Sequence, residues 1–279
     1  MNIKLLLGIL FFIICKSGIQ AQADFYSLQP LGHRYICSSD YYEEGREIQI
    51  YQNGVNGNLK SDSILSIYVF DAQYPPTFNL FCSTFELLYP NTPCIIVGIS
   101  NPERQHELTP PYTDYNSVKG YDNPGGADTL LLSLKNEIIP FIQEKYHASS
   151  NRILVGHSLG GTFVTYAQLQ ETDYFPCIIA ISPNYTYSQR MIIDKLKRLS
   201  QTYQSDEKLY IYLAHGYQDA TEEKFAPDTK QAKSILQNNN HILVGYDSLS
   251  ITKHSHTIFE GYYKGLLKSK QYIELSTNR

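Results

Sequence analysis

The sequence predicts an α/β fold, with a mostly parallel central sheet and helices on both faces. Short apolar runs typical of buried strands alternate with longer segments of helical periodicity from about residue 64 to residue 268. Residues 152–169 pass from an apolar run through a glycine turn into a helical pattern. The chain has 279 residues, 42% of them hydrophobic, which suits one domain with a sizeable core.

The N-terminal residues are expected to be a targeting segment. Lys4 precedes an apolar run over residues 5–14, and Ala21-Gln22-Ala23 supplies the small residues of a cleavage site. We therefore predict a signal peptide over 1–23, one domain over 24–279, and a secreted or periplasmic protein. The apolar run is too short for a comfortable membrane span, so no stable membrane insertion is expected after cleavage.

The predicted elements begin with antiparallel strands in residues 33–53, where apolar and polar residues alternate. Besides the strand that opens at Arg152 and the helix after it, strands are expected at 64–70, 94–99, 177–182, 209–214 and 241–246, and helices at about 78–89, 128–146, 188–203, 225–237 and 257–268. Pro140 is expected to kink the second of these helices. Residues 100–127 fit no element, and a loop of this length at the carboxyl end of a strand predicts the rim of a ligand site.

Charge and cysteine usage exclude several classes of protein. The net charge is −4 and no run of Lys or Arg occurs, so nucleic-acid binding is not expected. Four cysteines follow the predicted signal peptide, and an even number permits disulfides in an exported protein. Cys94 and Cys177 open strand-like runs, which favours buried free thiols. Because no Cys-x-x-Cys spacing occurs, and the pair His254 and His256 has no further ligand cluster, we expect no metal.

The turn Gly156-His157-Ser158-Leu159-Gly160 is the main candidate for chemistry. Between a strand and a helix, Gly-x-Ser-x-Gly forms a strained turn that presents the serine hydroxyl at the strand end. We therefore predict Ser158 as a nucleophile and the backbone N–H of Leu159 as an oxyanion donor. A purely structural glycine turn is the alternative. His157 is expected to pack beside Ser158, with a substrate contact as its other possible role.

A nucleophilic serine needs a base, and the base needs an orienting acid. Asp219 follows the predicted strand 209–214 and a glycine turn, and it is our candidate acid; Glu222 and Glu223 are close enough to replace it. His254 and His256 precede the last helix and compete for the role of base.

Two further candidates lie in the loops after the early strands. The second oxyanion donor is expected after the strand 64–70, at the backbone N–H of Gln73 or, failing that, of Ala72. Arg104, in the long polar loop, is a candidate for holding substrate, with a solvated surface arginine as the alternative.

Several stretches between residues 40 and 268 match a known family pattern, and the chain resembles the putative esterase family of the α/β-hydrolase superfamily. This family includes enterochelin esterases, feruloyl esterases, esterase D and the mycolyltransferases. The matching stretches are Arg46–Tyr51, Tyr68–Gln73, Ile96–Arg104 with Leu108–Pro110, Glu137–Ile142, Arg152–Gly161, Ile181–Pro183 and Tyr263–Leu266. The segment from Ile96 to Pro110 is most similar to the enterochelin-esterase type.

The resemblance implies an α/β-hydrolase fold with Ser158 as nucleophile and Leu159 and Gln73 as oxyanion donors. Asp219 matches the acid of feruloyl-esterase-like members, although some siderophore esterases resemble a Ser/His dyad. For the base, the family's spacing to Gly265-Leu266 and the His-Ser pair of esterase D-like members favour His254. His256 becomes the match if two residues are deleted here.

The function predicted from these residues is that of a serine esterase acting through an acyl-enzyme on Ser158. The expected partner is a small-molecule or glycan ester, of siderophore type or a carbohydrate acyl ester, and no cofactor is expected. Acyl transfer to a sugar or alcohol is one alternative. The other is a catalytically idle binding module of the same fold.

Overall fold

The computed structural model describes residues 31–54, 64–250 and 253–277. The predicted signal peptide over 1–23 lies outside the described residues and stays a prediction. In the described ranges, eight strands form one sheet. They are β1 His33–Cys37, β2 Arg46–Asn53, β3 Leu65–Phe70, β4 Cys94–Ile99, β5 Arg152–His157, β6 Cys177–Ile181, β7 Leu209–His215 and β8 Ile242–Ser248.

The parallel strands β3 to β8 bring their carboxyl ends to one edge of the sheet. Across the sheet it is β1-β2-β4-β3-β5-β6-β7-β8, with β3 to β8 parallel and antiparallel pairing only at β1–β2 and β2–β4 among the described strands. In the register of β3 and β5, Val69 lies opposite Val155, so the turns after these two strands start side by side. The chain order reverses direction here, since β4 lies on one side of β3 and β5 on the other. Ligands bind at such a switch point in open α/β sheets.

Helices cover both faces of the sheet, which confirms the predicted fold class. They are α1 Pro75–Leu88, α2 Arg104–Glu107, α3 Ala127–Ser133, α4 Ile139–Tyr146, α5 Leu159–Gln170, α6 Tyr187–Thr202, α7 Ala220–Leu236, α8 Thr257–Lys268 and α9 Lys270–Thr277. Strands buried on both faces read as continuous apolar runs, which is why β3, β4 and β6 were visible in the sequence.

Each face of the sheet has its own apolar core. The core beneath α1, α8 and α9 includes an edge-to-face pair, Phe81 on α1 and Tyr262 on α8, with ring centroids 5.0 Å apart. The opposite core lies beneath α3 to α7 and includes Phe70 and Phe163, with ring centroids 4.7 Å apart. Aromatic pairs in these geometries contribute beyond their buried area. The first pair joins α1 to α8, and the second joins α5 to β3.

The segment predicted as one helix over 128–146 contains a π-helical turn, Leu134–Ile138, between α3 and α4. The Ile139 N–H bonds to the carbonyl of Leu134, five residues back, and Pro140 then lies in the first turn of α4. Proline has no N–H to donate and is tolerated in a first turn, so the helix adjusts to Pro140 through the wider turn.

Two other expectations from the sequence change in detail, and one helix was not expected. The long polar segment 100–127 is not free of elements, since it contains α2 and a 3₁₀ turn at Tyr115–Ser117. The helix expected from residue 225 begins at Ala220 instead. A final helix, α9, was not predicted.

Cys37, Cys82, Cys94 and Cys177 are free thiols, which confirms the expectation for Cys94 and Cys177. Within the described ranges no cluster of His, Cys, Asp or Glu could hold a metal ion. The helices of those ranges include none that is both long and apolar enough to cross a bilayer.

Candidate active site

Ser158 lies in a tight turn between the end of β5 and the start of α5. Its backbone has φ 58° and ψ −119°, a conformation that costs a non-glycine residue energy and persists only where the surroundings impose it. A Cβ added at Gly156 would lie 2.2 Å from the carbonyl carbon of Gly160, so only glycine allows the chain to double back here. The Ser158 N–H donates to the carbonyl of Ile181 on β6 at 2.9 Å, which ties the turn to the sheet.

The α5 helix begins directly after the serine, at Leu159. The first N–H groups of a helix have no carbonyl partner within it, and they lie at the positive end of the helix dipole. A negative oxygen forming beside Ser158 would therefore meet donors that are already oriented.

The imidazole of His254 is held by a buried carboxylate. Its Nδ1 lies 2.6 Å from Oε1 of Glu222, whose side chain is 0% exposed. The other carboxylate oxygen of Glu222 accepts the N–H of Gly216 at 2.7 Å. Because an ionised carboxylate only accepts hydrogen bonds, the proton belongs on Nδ1, which leaves Nε2 of a neutral imidazole free to accept one. This is the tautomer that a general base needs.

Asp219, the acid favoured by the sequence analysis, does not contact the imidazole. It is the N-cap of α7: its Oδ1 accepts the backbone N–H of Thr221 at 2.7 Å, and its Oδ2 faces the backbone N–H of His254 at 3.5 Å. The Thr221 N–H is also the main cause that lowers the pKa of Asp219 below its usual value. The carboxylate that the structure brings to His254 is Glu222, and Glu223 is exposed.

The ring of His254 packs between two other rings. His157 lies 4.7 Å away, centroid to centroid, at an interplanar angle of 35°, and Phe225 lies edge-on at 5.5 Å. Nε2 of His157 is 3.0 Å from both the carbonyl of His254 and Oγ1 of Thr257. Since Thr257 gives its own proton to the same carbonyl at 2.7 Å, Nε2 of His157 is the donor in both contacts.

His157 therefore supports the loop that carries His254, which agrees with the packing role expected from its position. Burial is the largest cause that lowers the pKa of His157, to about 3, followed by positive charge on His254 and Arg104. A histidine with this pKa stays neutral at physiological pH and adds no charge beside Ser158.

His256, the other candidate base, is exposed, and its ring lies 5.7 Å from that of Phe259. Among the hydrogen bonds of the described residues, none joins Ser158 Oγ to either histidine. In enzymes without substrate such bonds are often long, and they tighten when substrate binds.

The turn after β3 lies beside the turn that carries Ser158. Asp71 has φ 65°, and the N–H of Ala72 donates to the carbonyl of Ile99 at 3.0 Å. That N–H is therefore not available to a substrate. The Gln73 N–H has no acceptor among the described residues, which favours Gln73 over Ala72 as the second donor for an oxyanion.

Arg104, expected to hold substrate, is paired within the protein. Its Nε lies 2.7 Å and its Nη2 3.0 Å from the two carboxylate oxygens of Asp71, and Nη2 also reaches the carbonyl of His157 at 3.2 Å. The fork geometry matches that of strong bidentate pairs. Arg104 joins the turn after β3 to the turn after β5.

Sequence reasoning ranked Glu222 below Asp219, although a local signal was present. Asp219-Ala-Thr-Glu222 has the form of a capping box, which marks Asp219 as the residue before a helix. In the structure Asp219 caps α7 as this pattern predicts, and the Glu at the third helical position turns to His254 and Gly216 instead of back to the cap.

The long polar segment packs near the nucleophile through tyrosines. Asn184, whose N–H lies 3.4 Å from the carbonyl of Ser158, donates from its side chain to Tyr121 Oη at 2.5 Å. The ring of Tyr121 is edge-to-face with that of Tyr187 at 5.1 Å, and Tyr187 bonds to the carbonyl of Pro110. The segment is thus linked to the turn of Ser158 through Asn184, and the ligand rim expected there stays a prediction.

Comparison with known proteins gives the family context. The sequence model of a family described as putative esterase matches residues 60–262. A siderophore enterobactin esterase of Emericella nidulans is 29% identical over 110 residues, 36% of this chain and 36% of that protein. The ferri-bacillibactin esterase BesA of Bacillus subtilis is 28% identical over 138 residues, 44% of this chain and 48% of that protein. The matches thus span from about a third to about half of the length of these relatives.

Solved structures share the fold over more of the chain. The siderophore hydrolase EstA from Aspergillus nidulans superposes with a TM-score of 0.70 at 19% identity, covering 91% of this chain and 99% of that one. The BES protein from Bacillus cereus gives a TM-score of 0.70 at 19% identity, covering 86% and 94%. At this level of identity the similarity establishes a common fold.

Proposed function

Since the chain belongs to the putative esterase family, we propose that it is a serine esterase that hydrolyses a carboxylic ester through an acyl-enzyme on Ser158. The observation that carries the proposal is the bond between Nδ1 of His254 and the buried carboxylate of Glu222, at the same edge of the sheet as Ser158. A carboxylate in this position holds the imidazole in the tautomer that can accept a proton at Nε2.

In the proposed mechanism the base is His254 and the acid is Glu222, in place of Asp219. Nε2 of His254 takes the proton of Ser158 as Oγ attacks the ester carbonyl, and the N–H groups of Leu159 and Gln73 stabilise the resulting oxyanion. Collapse of this intermediate expels the alcohol, which takes the proton from Nε2. Water then gives a proton to Nε2 and attacks the acyl group, and Ser158 leaves with that proton as the acid is released.

We propose a siderophore-type ester as the first substrate to test, and a carbohydrate acyl ester as the second. Support comes from the names of two relatives, an enterobactin esterase and a ferri-bacillibactin esterase. Exposed aromatic rings adjoin the proposed machinery in sequence. Tyr74, 56% exposed, directly follows Gln73, and Tyr217, 42% exposed, directly follows Gly216, whose N–H bonds to Glu222. Such rings can stack on the flat aromatic groups that a catechol-bearing ester presents.

The proposal is tested by comparing wild type with Ser158→Ala. We expect wild type to hydrolyse p-nitrophenyl acetate and to be labelled by a fluorophosphonate, and the variant to lose about 10⁴-fold or more in kcat and all labelling. A panel of a catechol trilactone, a feruloyl sugar ester and an acetyl sugar ester then ranks the substrates. Unchanged turnover in Ser158→Ala would reject the acyl-enzyme.

The same experiment separates the two alternatives. An acyltransferase would divert product to an added sugar or alcohol acceptor instead of water. A binding module would bind the ester without labelling or turnover.

A further inference from the structure

A buried polar network lies behind the turn that carries Gln73, and its centre is the fully buried Asn101 at the end of β4. Asn101 Oδ1 accepts the backbone N–H of Asp71 at 3.1 Å, and the backbone N–H of Asn101 donates to Oε1 of Gln73 at 2.9 Å. The side-chain Nε2 of Gln73 in turn donates to Oδ1 of Asp71 at 3.2 Å. One asparagine therefore holds both ends of the turn.

The orientation of the Asn101 amide is imposed from behind. Its Nδ2 donates to Oε2 of Glu107 at 2.8 Å, and Glu107 forms a buried ion pair with Arg46 at 2.9 Å. Because a carboxylate accepts only, the nitrogen of the amide must face Glu107, and the oxygen must face the N–H of Asp71. These contacts fix the Asn101 amide in one orientation.

Arg104 holds the same turn from the front. Its guanidinium bonds to both carboxylate oxygens of Asp71 and to the carbonyl of His157, the residue before Ser158. The positive φ of Asp71 is a strained backbone conformation, which persists where surrounding contacts impose it. Arg104 thus spans the gap between the two turns from which the proposed oxyanion donors come.

We infer that Arg104 and Asn101 are positioning residues that hold the backbone N–H of Gln73 in register with Ser158, so that the oxyanion hole is formed before substrate arrives. This inference rests on the proposed function and deepens it. A donor that is fixed in advance stabilises the transition state without reorganisation, and small displacements reduce that effect strongly. Arg104 acts through Asp71 and His157 and not through contact with substrate.

The experiment compares Arg104→Met and Arg104→Lys with wild type. Arg104 is chosen because its side chain is partly exposed, whereas Asn101 is fully buried. The matched control is Arg34→Met, which removes an exposed arginine paired with Glu47 at 3.7 Å, on β1. For each protein kcat and KM for p-nitrophenyl acetate, the rate of inactivation by diethyl p-nitrophenyl phosphate, and the thermal midpoint are measured.

We expect Arg104→Met to lower kcat and the inactivation rate together, by about 10- to 100-fold, with KM changed less than about threefold, because loss of one oxyanion donor costs about 10²- to 10³-fold. The kcat and inactivation rate of Arg104→Lys should lie between those of wild type and Arg104→Met, since lysine keeps the positive charge but cannot form the bidentate pair. The control should stay within about twofold of wild type.

Three results would overturn the inference. A raised KM with kcat unchanged would make Arg104 a substrate-binding residue, as the sequence first suggested. If kcat and the inactivation rate stay within twofold of wild type in both folded Arg104 variants, the contacts of Arg104 with Asp71 and His157 do not position the donor. The esterase proposal would then still stand. Wild type that neither turns over ester nor reacts with the phosphate would instead reject the esterase itself, and the positioning role with it. If Arg104→Met does not fold, the comparison rests on Arg104→Lys.

Discussion

The nucleophile turn and the base–acid pair are built in opposite ways. The turn around Ser158 is contiguous: its strand, its glycines and its helix all lie within residues 152–170, and its backbone follows from their sequence. The pair of His254 and Glu222 joins residues 32 apart in the chain, one before α8 and the other in the first turn of α7. A local motif therefore specifies the proposed nucleophile, whereas tertiary packing selects the proposed base and its acid.

The strongest test of this difference concerns the base, where two histidines stand two residues apart. His254 is held by Glu222, His157 and Phe225, while His256 is exposed. We expect His254→Ala to lower kcat about 10⁴-fold or more and His256→Ala to change it less than about threefold, because only the first removes the proton acceptor.

Both variants are measured on p-nitrophenyl acetate, with circular dichroism as the check on folding. The assignment of the base would be reversed if His256→Ala lost activity and His254→Ala kept it. In that case the segment before α8 would have to rearrange when substrate binds.

The next test concerns the two acids, Asp219 and Glu222, which are three residues apart and differ in what they contact. We expect Glu222→Gln to lower kcat about 10²- to 10⁴-fold, because the amide cannot accept the protons of both the His254 ring and the Gly216 N–H. Asp219→Asn is the matched control. Asparagine caps a helix about as well as aspartate, so activity should stay within about fivefold and the thermal midpoint should barely move.

Measurement of kcat for both variants over pH 5 to 9 decides between the acids. A large loss in Asp219→Asn with little change in Glu222→Gln would return the acid to Asp219. Small losses in both would favour a Ser/His dyad, which the resemblance to siderophore esterases had left open.

The same contrast explains how much of the molecule the sequence could reveal. Val155, Ile179 and their neighbours form continuous apolar runs because their strands are buried on both faces, so the parallel sheet was predictable. The turn at Ser158 and the helix that starts at Leu159 were predictable because the motif lies between a strand pattern and a helix pattern. Asp219 was chosen because it follows a strand and a glycine turn, and the start of α7 was placed at 225 instead of 220. A helix boundary shifted by one turn exchanges which carboxylate faces the base, and boundaries depend on caps.

For Arg104, the sequence could not show the partner within the protein. Its partner Asp71 lies 33 residues earlier, and the two meet only because β3 and β4 are neighbours in the sheet. A single arginine in a polar loop has the same local pattern whether it binds a ligand or a carboxylate of its own protein. Pairing across strands was therefore beyond what this segment could show on its own.

The smallest expected effect concerns His157, which belongs to the nucleophile turn but contacts the base segment. Its pKa of about 3 in the folded protein lies below the usual value of 6.5, so below pH 6.5 the unfolded chain binds a proton that the folded protein does not. Stability should therefore fall as pH drops from 7 towards 3, by about 2 kcal/mol between pH 7 and pH 5 from this residue.

Urea unfolding at both pH values, on wild type, His157→Gln and the exposed control His256→Gln, measures the difference. The loss of unfolding free energy between pH 7 and pH 5 should be smaller in His157→Gln than in wild type. It should not vanish, since burial also lowers the pKa of His215, and the control should lose as much as wild type. An equal loss in all three proteins would mean that His157 takes up its proton without disturbing the contact between the turn of Ser158 and the segment of His254.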